Sequence, residues 1–192
     1  MKISFHGAAR TVTGSKHLVQ LANGENFLLD CGLFQGLGRD TDSYNAAFGF
    51  DAKTVDFVIL SHAHIDHTGL LPKLAAEGFS GKVYCTPATK ALVEILLEDS
   101  AMIQRDDAKY KNKRLTREGM PQIEPLYTMD DVNLLLPMLQ TVEYDKPFTI
   151  SEHVEVLFTE AGHIIGSAAV NLKIKENNTI QTLTFSGDIG RY

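Results

Sequence analysis

The segment His62-Ala63-His64-Ile65-Asp66-His67 packs three imidazoles and a carboxylate into six positions. It follows, after Ser61, on residues 55–60 (VDFVIL), an almost unbroken apolar run. Such a run suits a strand buried on both faces, so the fold must be one whose core strand ends in a polar cluster. Neutral imidazole nitrogen is a good ligand for zinc and other borderline divalent metals. A turn at the strand end points His62 and His64 at one ion and leaves Asp66 and His67 aimed at a neighbouring point. This spacing suits two metals better than one. A lone histidine is more often a surface or core residue; three beside an aspartate have few purely structural uses.

Two later segments share this setting. Residues 161–167 (AGHIIGS) put His163 between glycines behind an alternating run, and residues 186–190 (SGDIG) do the same for Asp188. Glycine lets the backbone turn sharply and approach a bound group. Each motif alone is weak, since Gly-Asp is a common turn. Together they add a further histidine and a carboxylate able to bridge two ions.

The rest of the chain reads as mixed α/β. Strands are expected at 3–5, at 17–21 and 26–30 around Asn23-Gly24, at 82–85, and at 154–159, 168–174 and 180–185, with Asn177-Asn178 turning between the last two. Residues 31–54 read as a long loop. A helix over 68–77, with Pro72 near its first turn, closes at Gly78. A second is capped by Thr86 with Pro87 in its first turn, and takes its apolar periodicity from Ala91, Leu92, Ile95, Leu96 and Met102. Residues 105–125 read as a partly helical exposed connection, and 130–139 as a helix bent or stopped by Pro137. Two sheets with helices outside accommodate this order.

Composition narrows the function. The chain has 192 residues, 44% hydrophobic and 22% charged, which excludes a disordered or collagen-like polymer. A net charge of −6 argues against a small module that binds nucleic acid by bulk positive charge, and leaves room for an enzyme with a local basic groove. Two cysteines, Cys31 and Cys85, are too few for a disulfide scaffold and fit a reducing, cytoplasmic compartment. No run reaches the roughly 18 apolar residues of a membrane span. Cys31 has no base beside it, so no thiol nucleophile is expected.

HAHIDH with the downstream GHIIGSA and SGDIG resembles the metallo-β-lactamase fold superfamily. GAARTVTGS near the start, LLDCG, and GHIIGSA paired with SGDIGR resemble its β-CASP branch of nucleic-acid-processing hydrolases. The resemblance implies an αββα sandwich of two mixed sheets flanked by helices, spanning residues 1–192. It implies that His62, His64 and His163 bind a first zinc, that Asp66 and His67 bind a second, and that Asp188 bridges both. Asp30 would hold the histidine loop by hydrogen bonds; read from the residues alone, it is a turn residue before Gly32. The implied reaction is hydrolysis of a phosphodiester, of RNA ahead of DNA, by a hydroxide shared between two metals, with Asp66 also steering that hydroxide. Members of the branch continue into an inserted β-CASP domain and a closing segment. The chain is therefore expected to be the N-terminal part of a longer protein, with an incomplete second zinc site and weak activity by itself.

Lys109, Lys111 and Arg114 belong to a basic cluster with Lys113, Arg117 and Tyr110, and are candidate phosphate contacts; such a run is more commonly a solvated face. Arg10 and Lys16 flank the GAARTVTGS loop and could border the substrate path. His6, His17 and His153 read as structural or surface residues. Three functions compete: an RNA hydrolase, a hydrolase of thioesters, lactones or lactams using the same metals, and a non-catalytic module that binds metal or a partner.

Overall fold

Alternation at period two sets the architecture. In the computed structural model, which describes residues 1–36 and 38–191, neighbouring strand residues enter different cores; Leu37, within the expected long loop, and Tyr192 lie outside the described residues. Strands β1 (Lys2–Phe5), β2 (His17–Gln20), β3 (Asn26–Leu29), β4 (Phe57–Ile59), β5 (Lys82–Cys85) and β6 (Leu139–Thr141) form a six-stranded sheet in that order. The first three are antiparallel and β3 to β6 run parallel. Strands β7 (Phe148–Thr149), β8 (Val154–Glu160), β9 (Ala168–Glu176) and β10 (Thr179–Phe185) pair antiparallel in a second sheet. One parallel bridge, Tyr144 to Phe158, adjoins it.

Phe27, Leu29, Phe57 and Ile59 point into the space between the sheets and meet Val154, Val156, Phe158, Val170 and Leu172. Leu28, Val58, Leu60 and Val83 point the other way. There they are covered by Leu71 and Leu74 of α3 (Leu71–Ala76), Val93 and Leu97 of α4 (Pro87–Arg117), and Val132 and Leu135 of α5 (Met129–Leu135). The buried apolar run at 55–60 is thus buried on both faces because helices lie on one side and a sheet on the other. Among the described residues the outer face of the second sheet stays partly exposed.

Several elements depart from expectation for identifiable reasons. The 31–54 segment holds a short helix, α1 (Thr41–Ala46), and 3-10 turns at Gly38–Asp40 and Ala52–Thr54. Its anchor is polar: buried Asn45 accepts from Phe34 N at 2.8 Å and donates to Phe34 O at 3.0 Å. The helix expected over 68–77 is two pieces, α2 (Ile65–Thr68) and α3. Helix α4 is 31 residues long and runs to Arg117, through most of the expected connection. Its buried stripe is Thr89, Val93, Leu97 and Ala101, spaced by four. Ile95 and Met102, expected on that face, are 65% and 43% exposed. The helix expected over 130–139 stops at Leu135; Pro137 sits in a 3-10 turn, and β6 follows. Asn177 and Asn178 turn the β9–β10 hairpin with φ of +51° and +60°, as a tight two-residue turn requires.

Lys16 does not border a surface path. It is buried, donates from Nζ to Gly32 O at 2.8 Å, and lies over the Phe34 ring. Burial brings its pKa down to about 8. Cys31 and Cys85 are buried, and burial pushes each thiol up to about 12. Native chain at pH 8 should therefore show no thiol reactive to a disulfide reagent, and two after unfolding in urea. No helix among the described residues is long and apolar enough to cross a membrane.

Candidate metal centre

Asp30 follows β3, His62 follows β4, His163 follows β8 and Asp188 follows β10. All four lie beyond the carboxyl ends of strands, where α/β sheets gather their ligands. The ring nitrogen His64 Nδ1 lies 3.1 Å from His62 Nε2 and 3.2 Å from His163 Nε2. A tetrahedral zinc with Zn–N of 2.0–2.1 Å places neighbouring nitrogens about 3.3 Å apart, so the spacing fits three ligands of one ion. His62, His64, His163 and Asp188 each offer an atom to a group lying within 4.8 Å of one another.

A chain of hydrogen bonds beneath the group fixes the tautomers. Asp30 is fully buried and accepts from Ser61 N at 2.8 Å, Ser61 Oγ at 2.8 Å, Ser15 Oγ at 3.3 Å and His67 Nδ1 at 2.6 Å. Having given its one proton to Asp30, Ser61 Oγ accepts from His62 Nδ1 at 3.0 Å. That leaves His62 Nε2 with its lone pair facing His64. Burial, and then the neighbouring His67, push the His62 pKa down to about 4, so no proton competes for this nitrogen at neutral pH.

His67 is arranged likewise. Its Nδ1 proton goes to Asp30, and its Nε2 is buried with no hydrogen-bond partner among the described residues. That bare atom faces Asp66 Oδ2 at 3.7 Å and Asp188 Oδ1 at 3.5 Å. The other oxygen of Asp188 lies 3.6 Å from His163 Nε2. An orphaned buried nitrogen between carboxylates is costly by itself and suits a cation between them. Burial works against a charge on His67, but the bond and charge of Asp30, with Asp66 and Asp188, more than offset it, and its pKa is raised.

Backbone contacts seat the two late loops. Ser167 Oγ accepts from His163 N at 3.1 Å, and Gly166 O accepts from Thr86 Oγ1 at 2.7 Å and Thr89 Oγ1 at 2.8 Å. The start of α4 is thereby tied to the His163 loop. Gly187 has φ +54°, and a Cβ there would lie 2.5 Å from Ser61 Cβ. Gly187→Ala should displace Asp188 and lower divalent-metal affinity by about 10–100-fold, the usual cost of disturbing a ligand's support; a competition titration with zinc as the probe ion and a zinc-sensitive dye checks this.

The structure thus gathers His62, His64, His163 and Asp188, with His67 and Asp66 alongside. Asp30 occupies a left-handed turn, φ +59°, and also holds the hub beneath the ligands. His6 packs on Phe50, and His17 is wedged between Phe5 and Phe185. Lys109, Lys111 and Arg114 lie on the distal half of α4. Arg114 pairs with Glu118 at 3.7 Å, and Lys111, on the same side of the helix, lines a pocket with Arg114 and Asp42. Sequence reading passed over Ser61 and Ser15. The one available signal was a small hydroxyl residue closing the apolar run immediately before His62.

A profile of the metallo-beta-lactamase superfamily matches residues 13–190. The ribonuclease TTHA0252 of Thermus thermophilus is 42% identical over 190 residues, covering 99% of this chain and 38% of that protein. The transcription termination factor FttA of Methanocaldococcus jannaschii is 31% identical, covering 98% of this chain and 27% of its own length. The chain thus spans about two fifths or less of these relatives. Among solved structures, a Cronobacter sakazakii metallo-beta-lactamase with a HARLDQ motif aligns over 96% of this chain and 55% of its own, with a TM-score of 0.57 at 15% identity, a likeness of fold. Strand ends that converge on imidazoles and a carboxylate, in this fold and under that profile, make this chain a member of the metallo-beta-lactamase superfamily.

Proposed function

We propose that the chain is the metallo-β-lactamase part of a β-CASP-type RNA hydrolase that works in a reducing, cytoplasmic compartment. The observation that carries this reading is the convergence of His62, His64, His163 and Asp188 in a chain 42% identical to a ribonuclease over nearly its whole length. His62, His64 and His163 would hold one zinc, Asp66 and His67 would hold a second, and Asp188 would serve both. The facing of Asp188 Oδ1 to His67 and Oδ2 to His163 supports that division. When bound, the two cations supply a water acidic enough to attack at neutral pH and a counter-charge for the phosphodiester. Asp66 orients the attacking water and receives its proton. Asp30 fixes His67 through Nδ1, and Ser61 passes the same constraint to His62.

A small-molecule hydrolase would use these ligands equally well, so substrate decides between the readings. With zinc, the protein that carries this chain should cleave labelled single-stranded RNA and leave a thioester and a lactam intact. Turnover of either small substrate with intact RNA would overturn the proposal.

A further inference from the structure

We infer that the distal half of α4 is an anchor for the phosphate backbone of RNA, remote from the metal centre. Its ligand class rests on the RNA-hydrolase reading above. Residues 105–117 carry six basic side chains and two acidic ones, a net +4 inside a chain of net −6. Arg105, Lys109, Lys113 and Arg117 recur every fourth residue and so share one face of the helix. All four are exposed. Arg105 is paired with Asp106 at 3.0 Å, whereas Lys109, Lys113 and Arg117 form no ion pair among the described residues. Like charges spaced by four destabilise a helix. A chain with 24 acidic residues has nonetheless set only Asp106, paired with Arg105 and also close enough to feel Lys109, against this row, a local conflict of the kind found at functional surfaces.

The row borders a groove. The segment after α4 folds back along it, held where Asn112 Nδ2 donates to Ile123 O and Asn112 Oδ1 accepts from Ile123 N, both at 2.9 Å. Between helix and segment lies a cavity of about 740 Å³ lined by Ala108, Ile123 and Pro125, by the four cations of the row and by one carboxylate, Glu124. Cationic groups beside an apolar floor match a sugar–phosphate strand. Tyr110, 79% exposed on the adjoining face, offers a ring on which a base can stack.

Position gives the anchor its consequence. Thr89 touches the His163 loop, and Lys109 lies 20 residues further along the same helix, about 30 Å at 1.5 Å per residue. A stacked strand advancing about 3.4 Å per nucleotide needs roughly nine nucleotides to cover that distance. The anchor therefore grips long RNA away from the cleavage point and contributes to its capture.

The test is binding of a labelled, unstructured 25-nucleotide RNA to the chain and to its K109Q/K113Q/R117Q variant, by fluorescence anisotropy across salt concentrations with chelator present. Circular dichroism confirms that the variant is folded. The variant should bind about tenfold more weakly at 0.1 M salt. Its log K against log salt slope should be shallower by about 2, from three phosphate contacts at roughly 0.7 each. Affinity within twofold and an unchanged slope would overturn the anchor. So would poly-glutamate binding the unaltered chain as tightly as RNA, which would make the partner an acidic protein segment. Because no metal is present, the result is independent of hydrolysis. A failure to cleave RNA sinks the catalytic reading, and an unaltered binding curve sinks the anchor.

Discussion

Asp30→Ala should lower the free energy of unfolding by about 3–5 kcal/mol, the usual cost of removing one partner from a buried charged network. Four donors converge on this carboxylate: Ser61 N, Ser61 Oγ, Ser15 Oγ and His67 Nδ1. Ser15 Oγ can turn to His17 Nε2 at 3.4 Å and Ser61 Oγ to His62 Nδ1 at 3.0 Å, but Ser61 N and His67 Nδ1 lose their short partner, and each unsatisfied donor costs about 1–3 kcal/mol. The backbone adds to the loss, because φ is +59° and alanine tolerates that region poorly. Asp30→Asn should recover part of the stability, since asparagine accepts the left-handed turn and keeps one oxygen. Its amide opposes one of the donors, so divalent-metal binding, probed with zinc, should still weaken by about 10–100-fold. Urea unfolding of both variants decides the matter. A loss under about 1 kcal/mol for Asp30→Ala would show that the hub is not structural.

His64→Ala should give the opposite signature. His64 is only partly buried, and its Nδ1 meets nothing but the nitrogens of His62 and His163. Its loss should change the stability of the metal-free chain little while removing one corner of the ligand set. On the proposed function, RNA hydrolysis by the protein that carries this chain should fall by about 10³-fold or more, because metals lower the pKa of water from 15.7 to about 7 and an unassisted water is a poor nucleophile. Zinc content per chain and turnover of labelled RNA, measured on the same preparation, test this together. Wild-type turnover by His64→Ala would remove the metal centre from the mechanism. Set side by side, the two variants separate the residue that holds the site from one that acts in it.

Contiguity governed what could be read from residues alone. His62, His64, Asp66 and His67 lie within six positions, so one turn at one strand end suffices to gather them. His163 and Asp188 are distant in the chain, and only their glycine-flanked setting behind alternating runs marked them as partners. Ser61 and Ser15 carried no such mark, because a serine's role depends on which acceptor the fold brings to it. Helix α4 hid its true length because a charged, apolar-poor stretch is written alike for an exposed helix and for a connection. Its buried face was misplaced for a related reason: Ile95 and Met102 are as apolar as Val93 and Leu97 and differ only in phase. Short β6 and β7 left no periodicity to detect, being three and two residues long.

The buried nitrogen of His67, without a hydrogen-bond partner among the described residues, would tie this protein's durability to its ion supply. A cation that satisfies that atom binds the folded chain and finds no equivalent cage once the strands part, so mass action draws the population toward the native state. Resistance to heat and proteolysis then becomes a property of the medium as much as of the polypeptide. Cells poor in the metal would hold a softer, shorter-lived molecule.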